Sequence, residues 1–225
     1  MENAIFITSS LKNIGDAGER ITNNNAKNQT MVVQVQAETH QKSYSLEEYL
    51  KLEENSEFRN EYLDGKIKPM TGGTPNHNEI AGNFYTYLKL ALRGKKNKVF
   101  MTDLRLWIPQ YNVYTYPDVL VTKGKPVLQD NRNDTVINPL LIVEVLSKST
   151  KNYDQGEKFD FYRSISEFAE YILVDQYRYF VKQFAKAEDG RWWLRDFQNE
   201  DDSLSLVSLG LEMKLRDIYV EIELV

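Results

Sequence analysis

Glu144 is a carboxylate set inside an apolar, β-branched-rich run from Leu140 to Leu146, the composition of a buried strand. Side chains alternate along a strand, so Glu144 shares a face with Ile142 and Leu146, while Leu141, Val143 and Val145 point the other way. A charge in such a run is costly unless a metal, a cation or a proton compensates it. A second acid, Asp118, leads another short apolar run, Tyr116-Pro117-Asp118-Val119-Leu120-Val121. If the two strands are neighbours, both carboxylates can converge on one hard cation, with phosphate and water oxygens completing an octahedral Mg²⁺ shell. Such an ion would polarise a phosphoryl oxygen and lower the pKa of a water. A lysine nearby could orient the attacking water or stabilise developing negative charge. Glu61 is a third acid available to the metal shell or as the base, although a solvated strand residue or a salt bridge accounts for it equally well.

Composition narrows the chemistry. The chain has 225 residues, 41% of them apolar and 12% aromatic, enough for one core of ordinary size. There is no cysteine, which excludes thiolate nucleophiles and thiolate metal sites. The two histidines, His40 and His77, cannot build a His-rich zinc site, so oxygen ligands and Mg²⁺, Mn²⁺ or Ca²⁺ are favoured. No apolar run approaches the ~20 residues needed to span a bilayer, and no basic flank precedes an apolar leader, so the cytoplasm is the default compartment and no membrane is involved. A net charge of −5 argues against non-specific nucleic-acid binding by the whole surface, but leaves room for a local basic track around an acidic centre.

The elements that must position these residues can be read in order. Residues 1–42 are polar and without period, an extension expected to be weakly structured, with Met31 as a second candidate start; residues 43–225 are expected to form a single domain. Ser45-Leu46-Glu47-Glu48 has the form of a capping box and predicts a short helix over 46–54. Asp64-Gly65 between alternating segments predicts a hairpin over 59–67. Thr74-Pro75 starts a helix whose apolar stripe is Ile80, Phe84, Tyr87, Leu88 and Ala91, ended by Gly94; His77 in its first turn reads as structural, bonding a neighbouring backbone group or carboxylate. Residues 99–108 alternate as one half-buried strand. After the Glu144 strand, a helix is predicted over 154–166, with Asp154 and Lys158 as an exposed i,i+4 pair worth ~0.3–0.5 kcal/mol. The run EYILVD (170–175) is another buried strand, 179–187 and 192–197 form a hairpin, 203–209 adds a strand, and 215–224 ends in a short apolar element. The pattern implies an α/β or α+β fold, a mixed central sheet flanked by helices.

At these residues the sequence resembles the Uma-type restriction-endonuclease family, within the PD-(D/E)XK nuclease superfamily. The matching pieces are EYLDGKI, Pro117-Asp118, PLLIVEVLSKST, the Asp154…Lys158…Tyr162 helix and EYILVD, over 44–224. The resemblance implies a restriction-endonuclease-like fold and Mg²⁺-dependent hydrolysis of nucleic-acid phosphodiesters, here DNA, leaving a 5′-phosphate. It makes Asp118 the motif aspartate and Glu144 the second acid, both metal ligands. The superfamily lysine should stand two residues after the second acid, but that position is Leu146. Lys158, from the following helix, is the candidate replacement, with Lys148 and Lys151 behind it. A homodimer would suit cutting of both strands. The alternative is an inactive nuclease-fold module that binds nucleic acid or a protein.

Overall fold

The computed structural model describes residues 42–70, 72–148 and 150–224, so the polar extension expected over 1–42 lies, but for Lys42, outside the described residues. The first helix, α1, spans Leu46–Glu54. Its capping box is formed, with the Ser45 hydroxyl taking the Glu48 amide and the Glu48 carboxylate taking the Ser45 amide. Strands β1 (Asn60–Leu63) and β2 (Lys66–Pro69) make the expected hairpin. Asp64 and Gly65 both take positive φ, 42° and 93°, as a two-residue hairpin turn requires. Helix α2 spans Pro75–Ala91, capped by the Thr74 hydroxyl; it ends before Gly94, which takes positive φ in the turn beyond.

The strand expected over 99–108 is two strands. β3 (Lys98–Met101) and β4 (Arg105–Ile108) flank a break at Thr102, whose φ is 47°, and they enter different sheets. The alternation read over 99–108 passes over Thr102, a polar residue on its apolar side, and the break falls there. Next come β5 (Val113–Thr115), β6 (Val119–Thr122), β7 (Thr135–Val136) and β8 (Pro139–Leu146). The helix expected over 154–166 is also divided, into α3 (Lys151–Gln155) and α4 (Glu157–Arg163). Gly156, with ψ at −92°, leaves the helical region between them. The chain ends through β9 (Glu170–Asp175), β10 (Val181–Lys186), β11 (Trp192–Phe197), β12 (Ser203–Leu206), β13 (Leu211–Lys214) and α5 (Leu215–Ile218). β5, β7 and β13, of two to four residues each, were not separable in the sequence from the loops around them.

A six-stranded mixed sheet runs β11-β10-β9-β8-β6-β3 and a five-stranded sheet runs β2-β1-β5-β4-β7, with β12-β13 a separate pair. β8 and β9 are parallel neighbours, which obliges the chain to cross over between them, and α3 and α4 lie in that crossover. On one face of the six-stranded sheet, Leu141, Val143 and Val145 pack with Ile80, Phe84 and Leu88 of α2 and with α5. Burying each such side chain fully stabilises the fold by ~1.5–3 kcal/mol. On the other face, Ile142 and Leu146 pack with Tyr162 of α4 and with Leu106, Ile108 and Val113 of the five-stranded sheet. The alternation expected of the Glu144 strand is therefore present, and it points Glu144 into the space between the two sheets. The fold is a mixed α+β one, with sheets flanked by helices.

Candidate active site

Every residue of β8 is buried, and Glu144 is only 4% exposed. β6 is its antiparallel neighbour, with Val119 opposite Val143. That register brings Asp118, just ahead of β6, beside Glu144. The Asp118 amide lies 3.4 Å from Glu144 Oε2, and Asp118 Oδ2 accepts from the Val145 amide at 2.8 Å. Pro117-Asp118 is thus an anchored strand entry, its carboxylate tied to the strand that carries the second acid.

Lys158 reaches the same place from α4. Its Nζ lies 3.0 Å from Glu144 Oε1, 3.4 Å from Glu61 Oε1 and 3.4 Å from Asp154 Oδ1. The exposed pair expected of Asp154 and Lys158 is corrected here: both are buried, at 2% and 7% exposure. An i,i+4 spacing is neutral about which way the helix face points, and this one faces the sheet. Burial pushes the Lys158 ammonium down in pKa, but the Glu144 and Glu61 carboxylates outweigh it and hold it well above its ordinary value. Lys158 is therefore a fixed cation and no proton acceptor at neutral pH. Leu146, at the position of the superfamily lysine, is 2% exposed in the apolar cluster. Lys151 is half-exposed, 3.7 Å from Asp175, and Lys148 lies over the Tyr177 ring, so neither contacts Glu144.

Glu61 arrives from β1. Its Oε1 accepts from the Thr115 hydroxyl at 2.5 Å, and Oε2 lies 3.8 Å from Lys68. The salt bridge weighed for it in the sequence is present, to Lys158 as well as to Lys68. The cleft is lined by Glu61, Asp118, Glu144, Asp154, Lys158 and Tyr153, among others, with a volume of about 230 Å³. The Tyr153 hydroxyl is buried in it without a hydrogen-bond partner among the described residues.

Two further residues join the site. His77 Nε2 stands 3.2 Å from Asp118 Oδ2, so the carboxylate contact that the sequence reading allowed for His77 is present, and its partner is Asp118. Burial lowers the His77 pKa and the Asp118 hydrogen bond and charge more than offset it, so it is raised. Tyr162 donates to Glu144 Oε1 at 2.7 Å. Burial and the neighbouring carboxylate push the phenol well above its ordinary value, so it acts as a donor. The only sequence signal for Tyr162 was its place on the Asp154–Lys158 stripe. Tyr162→Phe is expected to cost ~1.5–3 kcal/mol in urea unfolding, the range for a lost hydrogen bond to a charged group; an unchanged midpoint would show that Glu144 does not need this donor.

Burial pushes the Glu144 carboxyl up, Lys158 pulls it back, and Asp118 and Asp154 push it up again, leaving it at about 8. Three carboxylates thus contact one buried ammonium, and a fourth, Asp118, stands beside Glu144. That surplus of negative charge, together with an all-oxygen donor set on Asp118 and Glu144, fits a hard divalent cation. Among the described residues no three His, Asp or Glu side chains are gathered as a ready-made metal cage. The fit is to a Mg²⁺-type ion held by two carboxylates that keeps several waters, the usual habit of that ion.

A mixed sheet that presents two acids at adjoining strands, with a lysine above them, has the architecture of a restriction-endonuclease-like protein. The chain belongs to the Uma2 family, described as "Putative restriction endonuclease", whose model matches residues 46–216. It is 39% identical over 154 residues to the uncharacterized protein sll1609 of Synechocystis sp., covering 68% of this chain and 87% of that one. It is 36% identical over 176 residues to slr1290 of the same organism, also uncharacterized, covering 78% and 90%. In three dimensions it is similar to the crystal structure of "a putative nuclease belonging to DUF820" from Anabaena variabilis, with a TM-score of 0.67 at 19% identity over 80% of this chain and 99% of that one. At that identity the likeness concerns the fold. No helix among the described residues is long and apolar enough to cross a membrane.

Proposed function

We propose that the protein is a Mg²⁺-dependent nuclease that hydrolyses DNA phosphodiester bonds, with Mn²⁺ able to replace Mg²⁺. The observation that carries this reading is Lys158 Nζ at 3.0 Å from Glu144, with Asp118 tied to the adjoining backbone. The position vacated at Leu146 is filled in space by a lysine from the crossover.

Asp118 and Glu144 would hold the cation, which when bound supplies charge neutralisation and an acidified water. Lys158, kept protonated by its acids, sets a fixed positive charge beside Glu144 that stabilises negative charge developing on the phosphoryl oxygens. Glu61 holds Lys158 from the opposite side and so fixes where the ammonium points. The unpartnered Tyr153 hydroxyl is available to donate to a non-bridging oxygen of the substrate. One such site per chain cuts one strand at a time, so cutting both strands together calls for two copies.

The test is incubation of purified protein with supercoiled and linear duplex DNA in Mg²⁺, in Mn²⁺ and in EDTA. Cleavage that needs the cation and leaves ligatable 5′-phosphates is the expected result. DNA retained but uncut under every cation would select the alternative, a binding module, the reading that Leu146 favours.

A further inference from the structure

The N-terminus of α2 is fastened to the site by contacts that the proposed reaction does not itself use. Gln176, 1% exposed, donates from Nε2 to the carbonyl of Leu146 at 2.8 Å, at the very end of β8. Its Oε1 accepts from the hydroxyl of Thr74, the residue that caps α2. Asn76 reaches the Gln176 carbonyl at 3.5 Å. The first turn of α2 is therefore held against the strand that bears Glu144. From that turn His77 extends to Asp118 Oδ2 at 3.2 Å. A carboxylate only accepts, so Nε2 is a protonated nitrogen of this ring. The other nitrogen, Nδ1, is buried and has no partner among the described residues. It abuts Gly73, where an added Cβ would stand 2.8 Å away.

These contacts share Asp118 out by atom. Oδ2 accepts from the Val145 amide and has His77 Nε2 at ion-pair distance, while Oδ1 has no hydrogen-bond partner among the described residues. A lone amide leaves a short carboxylate free to turn about χ2; two donors converging on one oxygen do not.

We infer that His77 is a positioning residue, braced by Gly73 and Gln176, which locks Oδ2 of Asp118 so that Oδ1 is presented to a divalent cation beside Glu144. The inference rests on the nuclease reading for the identity of that cation. Its nearest physical parallel is the outer-shell partner of a metal ligand, whose removal typically costs 10–100-fold in metal affinity or activity.

The experiment compares His77→Leu, His77→Gln and Gly73→Ala with the wild-type protein. Gln can place an amide N–H near the site of Nε2, whereas Leu cannot donate. Gly73→Ala keeps the histidine but presses on its ring. Mn²⁺ binding by calorimetry and the kcat and KM of cleavage are measured for each. His77→Leu and Gly73→Ala are expected to weaken Mn²⁺ binding by roughly 10–100-fold and to lower kcat with little change in KM for DNA. His77→Gln should recover most of both. Leu and Ala variants that bind Mn²⁺ as tightly as the wild type would overturn the assignment. If the wild type binds no Mn²⁺, the metal reading fails, and the brace is decided separately by crystal structures of His77→Leu and His77→Gln. Asp118 Oδ2 leaving the Val145 amide in the first and keeping it in the second supports the brace; an unmoved Asp118 in both overturns it.

Discussion

Replacing Glu144 with glutamine is expected to abolish cation-dependent DNA cleavage, a loss on the order of 10³-fold or more, while leaving a folded protein. Glutamine keeps the shape of the side chain and an oxygen that can accept from Tyr162 and Lys158, the two contacts now at 2.7 and 3.0 Å. Lys158 retains Glu61 and Asp154, each at 3.4 Å, so no ammonium is stranded. Burial, Asp118 and Asp154 already push the Glu144 carboxyl towards its protonated form, so a neutral amide in its place suits the same surroundings. The loss should therefore appear in catalysis and Mn²⁺ binding, with the urea midpoint close to that of the wild type. Cutting at the wild-type rate by the Glu144→Gln protein would refute the assignment of the site.

Lys158→Met is expected to act on catalysis and stability together. Methionine fills similar space but leaves Glu144, Glu61 and Asp154 without their shared cation. Breaking a buried pair by removing one partner costs ~3–5 kcal/mol. The sign of its pH dependence follows from the site. Lys158 is what pulls the Glu144 pKa down, so without it the folded-state value rises further above that of the unfolded chain. A carboxyl with a raised folded pKa must stay protonated to remain buried, and that requirement weighs more as pH rises above the unfolded value of about 4.3. With Glu144 at about 8 in the wild type, both folded proteins keep it protonated below that value, so the deficit of the variant from this carboxyl should be level up to about pH 8 and widen above it. Denaturant titrations on either side of that value decide it: a deficit that does not widen above it would mean that Glu144 is compensated by something other than Lys158. Cleavage by this variant should drop by roughly 10²–10³-fold, the range for losing one preorganised donor.

The strand that carries Glu144 was legible in the sequence because a buried strand has two simple signatures, composition and alternation, and one charge stands out against both. The caps of α1 and α2 and the turn at Asp64-Gly65 were legible for the same reason: each is chemistry between residues a few positions apart. Pairing was not. The sequence placed Asp118 and Glu144 on separate short strands, and only the β6–β8 register shows that they adjoin. The direction in which Lys158 points depends on a helix broken at Gly156 and on a sheet lying beneath it, so a residue that reads as solvated is buried. For His77 the sequence offered a backbone group or a carboxylate as partner but not which, since its contact with Asp118 exists only once α2 is fastened to the end of β8. The break at Thr102 left a trace, two polar residues together at Thr102-Asp103, but one lapse in alternation does not tell a bulge or a bend from a change of sheet.

Because β8 and β9 run in the same direction, some connecting segment must pass between them whatever the protein does. Here that connection also delivers the ammonium to the acid, so its length is set by two constraints at once. Each residue added or removed just ahead of Lys158 would turn it by about 100° around the helix axis. A single insertion between Ser147 and Lys158 would point the side chain away from Glu144 even if the strands still paired. Surface connections ordinarily absorb such indels with little penalty; this one is gauged to the residue, and length variation in the molecule is better accommodated elsewhere, as in the turn between β10 and β11.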